Sequence, residues 1–149
     1  MTLGSIRHHI RINRTAAEVW RLAGDPARLH EWFPGLVSSA VEGTTRTIVA
    51  GSGVSMPEEI TVNDAVQHRF QYRLIPPLFK FHRGTIDAID LEDGTCLVVY
   101  STDADPRAMA LTIGGATAAA LDELKRQMEL PDKFPNPNPT PTPTETGAH

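Results

Sequence analysis

From Leu36 to Asp103 the chain is a succession of short runs in which apolar and polar residues alternate, each closed by turn residues. Period two is the signature of a half-buried strand, because successive side chains leave a strand on opposite faces. The middle of the chain is thereby committed to sheet. Val37 to Glu42 forms one run, ended by Gly43. Thr45 to Ala50, rich in β-branched residues, forms the next and stops at Gly51-Ser52-Gly53. Val54, Met56, Glu58, Ile60 and Val62 then alternate with Ser55, Pro57, Glu59, Thr61 and Asn63. His68, Phe70, Tyr72 and Leu74 alternate with Gln67, Arg69, Gln71 and Arg73, until Pro76-Pro77 breaks the pattern. His82, Gly84, Ile86 and Ala88 alternate with Arg83, Thr85 and Asp87, up to the Glu92-Asp93-Gly94 turn. Thr95 to Thr102 is apolar on both faces, and its pattern leaves the inward parity undecided.

The same periodicity opens the chain. Ile6, His8, Ile10 and Ile12 share one face of a first strand, and Arg7, His9, Arg11 and Asn13 share the other. Thr15 with Glu18 reads as a capping box, in which the hydroxyl caps one free amide and the Glu side chain reaches back to another. A short helix carrying Val19, Trp20, Leu22 and Ala23 follows and ends at Gly24. Asp25-Pro26 starts a second, with Leu29, Trp32 and Phe33, stopped by Pro34-Gly35. After the strands comes one long helix, from about Arg107 to Leu130. Met109, Ile113, Ala116, Ala120, Leu124 and Met128 recur on it at helical spacing, an amphipathic stripe. Gly114 and Gly115 sit in its middle, and Gly costs about 1 kcal/mol against Ala inside a helix. The helix is therefore either irregular there, or its small side chains leave room on the face it presents to the sheet. From Pro131 on, prolines alternate with Asn and Thr, which predicts a disordered tail over 131–149 behind a folded domain over 1–130.

Composition excludes several function classes. Hydrophobic residues make up 40% of the chain and charged ones 21%, enough for one core. A net charge of −4 disfavours a uniformly basic nucleic-acid binder. The single cysteine, Cys96, rules out an internal disulfide framework and a cysteine-rich zinc site. No apolar run approaches the ~20 residues of a membrane span. Met1 to Arg11 carries arginines and histidines where a signal peptide needs an apolar stretch, so a cytoplasmic protein is expected. No nucleophile elbow, phosphate loop or dinucleotide fingerprint is present.

Certain stretches, in their order and spacing, carry a family resemblance. They are Glu18-Val19-Trp20, Gly24-Asp25-Pro26 and Trp32-Phe33-Pro34, then Glu58 six residues before Asp64. Phe70-Gln71-Tyr72-Arg73, His82-Arg83-Gly84-Thr85-Ile86 and Gly94-Thr95-Cys96-Leu97-Val98-Val99-Tyr100-Ser101 follow, and Leu121-Asp122-Glu123-Leu124-Lys125 closes the set. From about Ile6 to Glu129 the chain resembles the START-like, or SRPBCC, superfamily, in particular its polyketide cyclase/dehydrase and lipid-transport-like branch. The resemblance implies an α+β helix-grip fold. A curved seven-stranded antiparallel sheet would hold the long C-terminal helix around an internal cavity, with two short helices after the first strand. Such a fold hosts many functions, so function has to be argued from the cavity.

Polar residues on the apolar parity are informative, because an unpaired buried polar group costs about 1–3 kcal/mol. His8, Glu58 and His82 are such residues, with His68 a fourth near its strand's start. Each is either a satisfied core group or a cavity contact. By resemblance to plant abscisic-acid receptors, Glu58 stands where a cavity-facing carboxylate does, and His82 at the position of a cavity tyrosine. Val99 stands at that of a second carboxylate, a polar contact missing here. The receptors' Ser-Gly-Leu-Pro-Ala gate appears only as the shorter Gly51-Ser52-Gly53-Val54, so hormone sensing is not supported.

Three functions from different classes follow. The first is binding of a small, mostly apolar, lipid- or polyketide-like molecule. Its expected contacts are His8, Trp32, Phe33, Met56, Glu58, Ile60 and Phe70, with Tyr72, His82, Ile86, Val99, Ile113, Ala116 and Ala120. The second is a cyclase/dehydratase-type enzyme with Glu58 as candidate general base and His82, or His8, as general acid. The third is a regulatory interaction protein with the tail as tether. No cofactor and no metal are expected, because Glu58, His8 and His82 lie on separate strands without a ligand motif. The partner is a small hydrophobic molecule, with no nucleic acid and no integral membrane contact; a homodimer stays open.

Overall fold

The computed structural model describes residues 2–77 and 79–131. The expected disordered tail, after Pro131, lies outside the described residues. Strand β1 (Gly4–Ile12) leads into α1 (Ala16–Ala23) and, after a 3-10 turn at Pro26–Arg28, into the single turn of α2 (Leu29–Trp32). Six strands follow: β2 (Leu36–Glu42), β3 (Thr45–Ala50), β4 (Ser55–Asp64), β5 (Arg69–Leu74), β6 (Phe81–Asp90) and β7 (Cys96–Asp105). Helix α3 (Arg107–Met128) closes the fold. The seven strands form one antiparallel sheet in the order β1-β7-β6-β5-β4-β3-β2. This is the expected helix-grip arrangement.

Local chemistry sets the element ends. The Thr15 hydroxyl accepts the Glu18 amide at 3.2 Å, as a capping box requires. Glu18, however, accepts the Thr15 hydroxyl and the Arg14 guanidinium rather than reaching back to a free amide. Asp25 caps the 3-10 turn by accepting the Ala27 amide at 3.0 Å. Gly35, at φ +89°, makes the turn into β2 in a conformation that side chains resist.

The expected stripe on α3 is corrected. Its buried residues include Ala110, Gly114, Thr117, Leu121, Leu124 and Met128, about one residue round from the expected face at the amino-terminal half. The helix is regular over Arg107–Met128, and Gly114 leaves no room towards the sheet, because it packs directly on β1. A Cβ there would meet Ile6 Cγ2 at 2.7 Å, and one on Gly4 would meet Ala110 Cβ at 2.6 Å. Small residues thus let α3 lie close against β1. At the far end the Arg14 guanidinium donates to the Met128 carbonyl at 2.9 Å, and the Asn13 amide donates to Glu129 at 2.9 Å. Between α1, α2, α3 and the sheet lies a core that includes Leu22, Trp32, Phe70, Ile86, Tyr100 and Leu124. Each such apolar side chain contributes about 1.5–3 kcal/mol on burial.

Candidate functional site

Strand parity brings a polar cluster to the inner face. In β4 Glu58 is buried, as its alternation predicts, and β3 places Arg46 directly across from it. Arg46 was not expected. Its guanidinium Nε donates to Glu58 Oε1 at 2.7 Å, with the two side chains 1% and 2% exposed. The cation lies 5.2 Å from the centre of the Phe70 ring and 4.8 Å from that of Tyr72, so two aromatic faces replace part of its lost hydration. Arg46 Nη2 is buried without a partner among the described residues. Burial pushes the Glu58 carboxyl above its ordinary range, and the Arg46 charge and hydrogen bond offset part of that rise. The alternation of Arg46 and Ile48 with Thr45 and Thr47 carried the signal for this arginine.

His82, on β6, is buried and its Nδ1 accepts the Leu74 amide at 3.0 Å. The ring packs beside Tyr72 and Phe79. Burial lowers its pKa to about 4, so the imidazole is neutral near pH 7. The hydroxyls of Tyr72 and Tyr100 share a buried hydrogen bond of 2.6 Å, and burial raises both phenols above their ordinary range. Tyr72 can lie flat over β6 because residue 84 is glycine; a Cβ there would run into its ring.

These groups edge a cavity of about 170 Å³. Glu58, Tyr72 and His82 provide its polar wall. Leu29, Phe33, Leu36, Ile48, Met56 and Leu74 line the apolar remainder, and Ile113 and Ala116 of α3 complete it. Ala116 is solvent-exposed and Ile113 half-buried, so the chamber meets solvent beside α3. Met56 and Leu74 also line a neighbouring space of about 230 Å³ under Pro76, Pro77 and Phe79. The two spaces share these two residues.

Of the residues expected at the cavity, Phe33, Met56, Glu58, Tyr72, His82, Ile113 and Ala116 line it. Trp32, Phe70, Ile86 and Ala120 are instead packed into the core, and Ile60 rests half-buried against it. His8 is half-buried opposite Tyr100, on an edge strand two places from β6, while the chamber lies over β2 to β6. Val99 faces the other way. In β7 the buried residues are Cys96, Val98, Tyr100, Thr102 and Ala104, so Val99 belongs to the outer face with Arg7, His9, Ile89 and Leu97. His68 falls in the turn before β5, at φ 56°, with its ring near Trp20. Leu29, Leu36, Ile48 and Leu74 are lining residues that pattern alone did not single out. Cys96 is buried, and burial pushes its thiol up to about 11, which makes it a poor nucleophile. Among the described residues no three His, Cys, Asp or Glu side chains group so as to hold a metal ion. No described helix is long and apolar enough to cross a membrane.

A family model described as polyketide cyclase / dehydrase and lipid transport matches residues 4–129. No curated protein matches the sequence. Several solved structures share the fold. The protein XoxI from Bacillus cereus is 21% identical with a TM-score of 0.77, over 83% of this chain and 94% of that one. Zhui aromatase/cyclase from Streptomyces sp. R1128 is 15% identical with a TM-score of 0.69, over 86% of this chain and 94% of that one. Norcoclaurine synthase from Thalictrum flavum, in complex with dopamine and hydroxybenzaldehyde, is 17% identical with a TM-score of 0.66. That match covers 84% of this chain and 86% of the synthase. At these identities the likeness carries the fold.

Proposed function

The chain belongs to the polyketide cyclase / dehydrase and lipid transport family, and from that premise we propose that it binds a small, mostly apolar molecule in the chamber between the sheet and α3. The observation that carries this reading is the chamber itself, whose lining among the described residues is apolar apart from Glu58, Tyr72 and His82. Ligand pockets have this composition, apolar walls with a few placed polar groups. The inner chamber holds about 170 Å³. Drug-sized pockets run to roughly 300–1,000 Å³, whereas an apolar cavity of about 150 Å³ takes benzene. A single ring therefore fits the inner chamber. Norcoclaurine synthase, of the same fold, holds two single-ring compounds, dopamine and hydroxybenzaldehyde. A longer, lipid-like molecule would extend past Met56 and Leu74 into the adjoining space. Native mass spectrometry of the protein purified from its source cell tests the reading. A retained small molecule, lost on Ala116→Trp, is expected; ligand equally retained by that variant would place binding elsewhere.

A second reading, acid–base catalysis, is favoured by one observation. The same chamber holds a carboxyl raised by burial and a histidine kept neutral by burial. Burial moves Glu58 towards neutral pH, as a proton-transferring carboxyl needs, whereas it keeps His82 neutral, which suits the imidazole to donating a hydrogen bond rather than a proton. In that case Glu58→Gln keeps binding and lowers turnover by about 10²–10⁴-fold. In a carrier the same change only weakens binding.

A further inference from the structure

We propose that the imidazole of His82 is a proton-released rung between β5 and β6. Neutral, it holds the end of β5 against β6; protonated, it lets go and loosens this wall of the chamber. Tyr72 and Leu74 of β5 and His82 of β6 all line the chamber, so the rung sits in the wall itself. The device is a property of the two strands and does not depend on what the chamber holds.

Strands β5 and β6 pair from Arg69 opposite Asp87 to Tyr72 opposite Gly84. The Ala88 amide donates to the His68 carbonyl at 3.0 Å, so the even-numbered residues of β5 turn their backbone groups towards β6. Carried two residues further, this register sets Leu74 opposite His82, where a backbone carbonyl would take the Leu74 amide. The pairing stops at Tyr72 instead, and the Leu74 amide donates to the side chain, His82 Nδ1, at 3.0 Å. Both strands are fastened independently on their other sides. Leu74 lies opposite Glu58 of β4, and the Ile75 amide donates to the Pro57 carbonyl. His82 lies opposite Ala104 of β7, and the Lys80 amide donates to the Asp105 carbonyl. Loss of the imidazole bond therefore parts the end of β5 from β6 without unpairing either strand from its outer neighbour.

Valence makes the rung sensitive to protons. An imidazole nitrogen accepts a hydrogen bond only while it is unprotonated, and the imidazolium donates from both nitrogens. A proton on Nδ1 sets one N–H against another and leaves the Leu74 amide without an acceptor. The surroundings decide how hard that proton is to add. The Tyr72 ring from β5 and the Phe79 ring flank the imidazole, and α3 brings only Ile113 and Ala116 to the chamber. Lys80 and Arg83 are its charged neighbours in sequence. Asp103 of β7 favours the imidazolium, and Glu58 of β4, already paired with Arg46, lines the same chamber. Burial outweighs Asp103 and holds the closed ring to a pKa of about 4. A ring released to water returns to about 6.5. Between these values opening takes up one proton, so its equilibrium rises up to about tenfold per pH unit of acidification.

The test is amide hydrogen exchange of the full chain, followed residue by residue by NMR at pH 7 and pH 5 and corrected for the intrinsic exchange rate. The protection of the Leu74 amide should fall at least about tenfold between the two. At pH 5 it should also lie at least about tenfold below that of Tyr72, the last residue of the ladder. In His82→Gln the carboxamide oxygen can accept the same amide but does not titrate, so the Leu74 protection should change less than about threefold. Equal protection of Leu74 and Tyr72 at pH 5 would mean that the bond opens only with the whole fold, and would overturn the proposal. Leu74 protection that does not fall in the wild type, or that falls equally in His82→Gln, would overturn it as well. The wild-type comparison decides by itself if the variant does not fold.

Discussion

Replacing Arg46 by methionine isolates what holds the inner face together. Methionine keeps much of the side chain's length against Phe70 and Tyr72 but removes the charge that faces Glu58. Both members of the pair are at most 2% exposed. Breaking a buried pair by removing one partner costs about 3–5 kcal/mol, because the other is left as an uncompensated buried charge. With a urea m-value of roughly 2 kcal/mol/M, that moves the unfolding midpoint down by about 2 M. The pH dependence separates charge from packing. Burial already raises Glu58, and loss of Arg46 removes the opposing pull, so the folded carboxyl rises further. A carboxyl higher in the folded than in the unfolded state destabilises the fold as pH climbs from the unfolded to the folded value. The deficit of Arg46→Met should therefore be largest near pH 7 and shrink towards pH 4, where Glu58 is protonated in the fold. The assay is urea denaturation followed by tryptophan fluorescence at both pH values. The double variant Arg46→Met/Glu58→Leu removes both charges and should recover most of the loss, since apolar replacement of a buried pair is often neutral or stabilising. A deficit that is the same at both pH values, with no recovery in the double variant, would refute the reasoning and make the effect one of packing.

Lowering the pH from 6.5 to about 4 should penalise the fold through His82, whose protonation is suppressed there but free in the unfolded chain. The sign is that of a depressed pKa, with stability lost as pH falls; up to about 3 kcal/mol is involved, and the difference in urea stability between wild type and His82→Gln should shrink across that window. Gly84→Ala drives a methyl into the Tyr72 ring and should cost about 1–3 kcal/mol while breaking the Tyr72–Tyr100 hydrogen bond, checked by denaturation and by tyrosine absorbance. Ala120 is fully buried in the core, so Ala120→Leu should cost about 1–3 kcal/mol by overpacking, read from the same urea curves. Ala116→Leu, at the exposed rim of the chamber, should change stability by less than about 0.5 kcal/mol yet reduce ligand capture in the calorimetric assay.

Where one face of an element is markedly more apolar than the other, its placement was legible in the sequence. Period two put Glu58 and His82 inward because Met56, Ile60, Ile86 and Ala88 fix the parity of their strands. Where contrast is low, the reading failed or stopped. Such contrast is absent in β7, where Leu97, Val98, Val99 and Tyr100 are all apolar or aromatic, so nothing told Val99 from Tyr100. The Ala- and Gly-rich middle of α3 hides which face is buried, and packing of Gly114 on Ile6 decides it. His8 was placed on the correct face of β1, but its distance from the chamber depends on strand order, which pattern does not encode. Arg46 is the instructive omission. A charged residue on an apolar parity signals a buried partner, and a second one on the adjacent strand, Glu58, supplies it.

On α3 the attachment to the sheet and the wall of the chamber share Ile113, which lines the cavity and also packs on the small cluster of Phe79, Ala104 and Ala110 that Ile6 joins. Gly114 and Ala110 fasten the helix to Gly4 and Ile6, while Ile113 and Ala116, on the adjoining face, bound the cavity. A change at 116 can therefore alter the space in the chamber without touching that cluster, whereas one at 113 disturbs both. Ala116, exposed at the rim, is thus the position on α3 where the volume of the chamber can be changed independently of the seat of the helix.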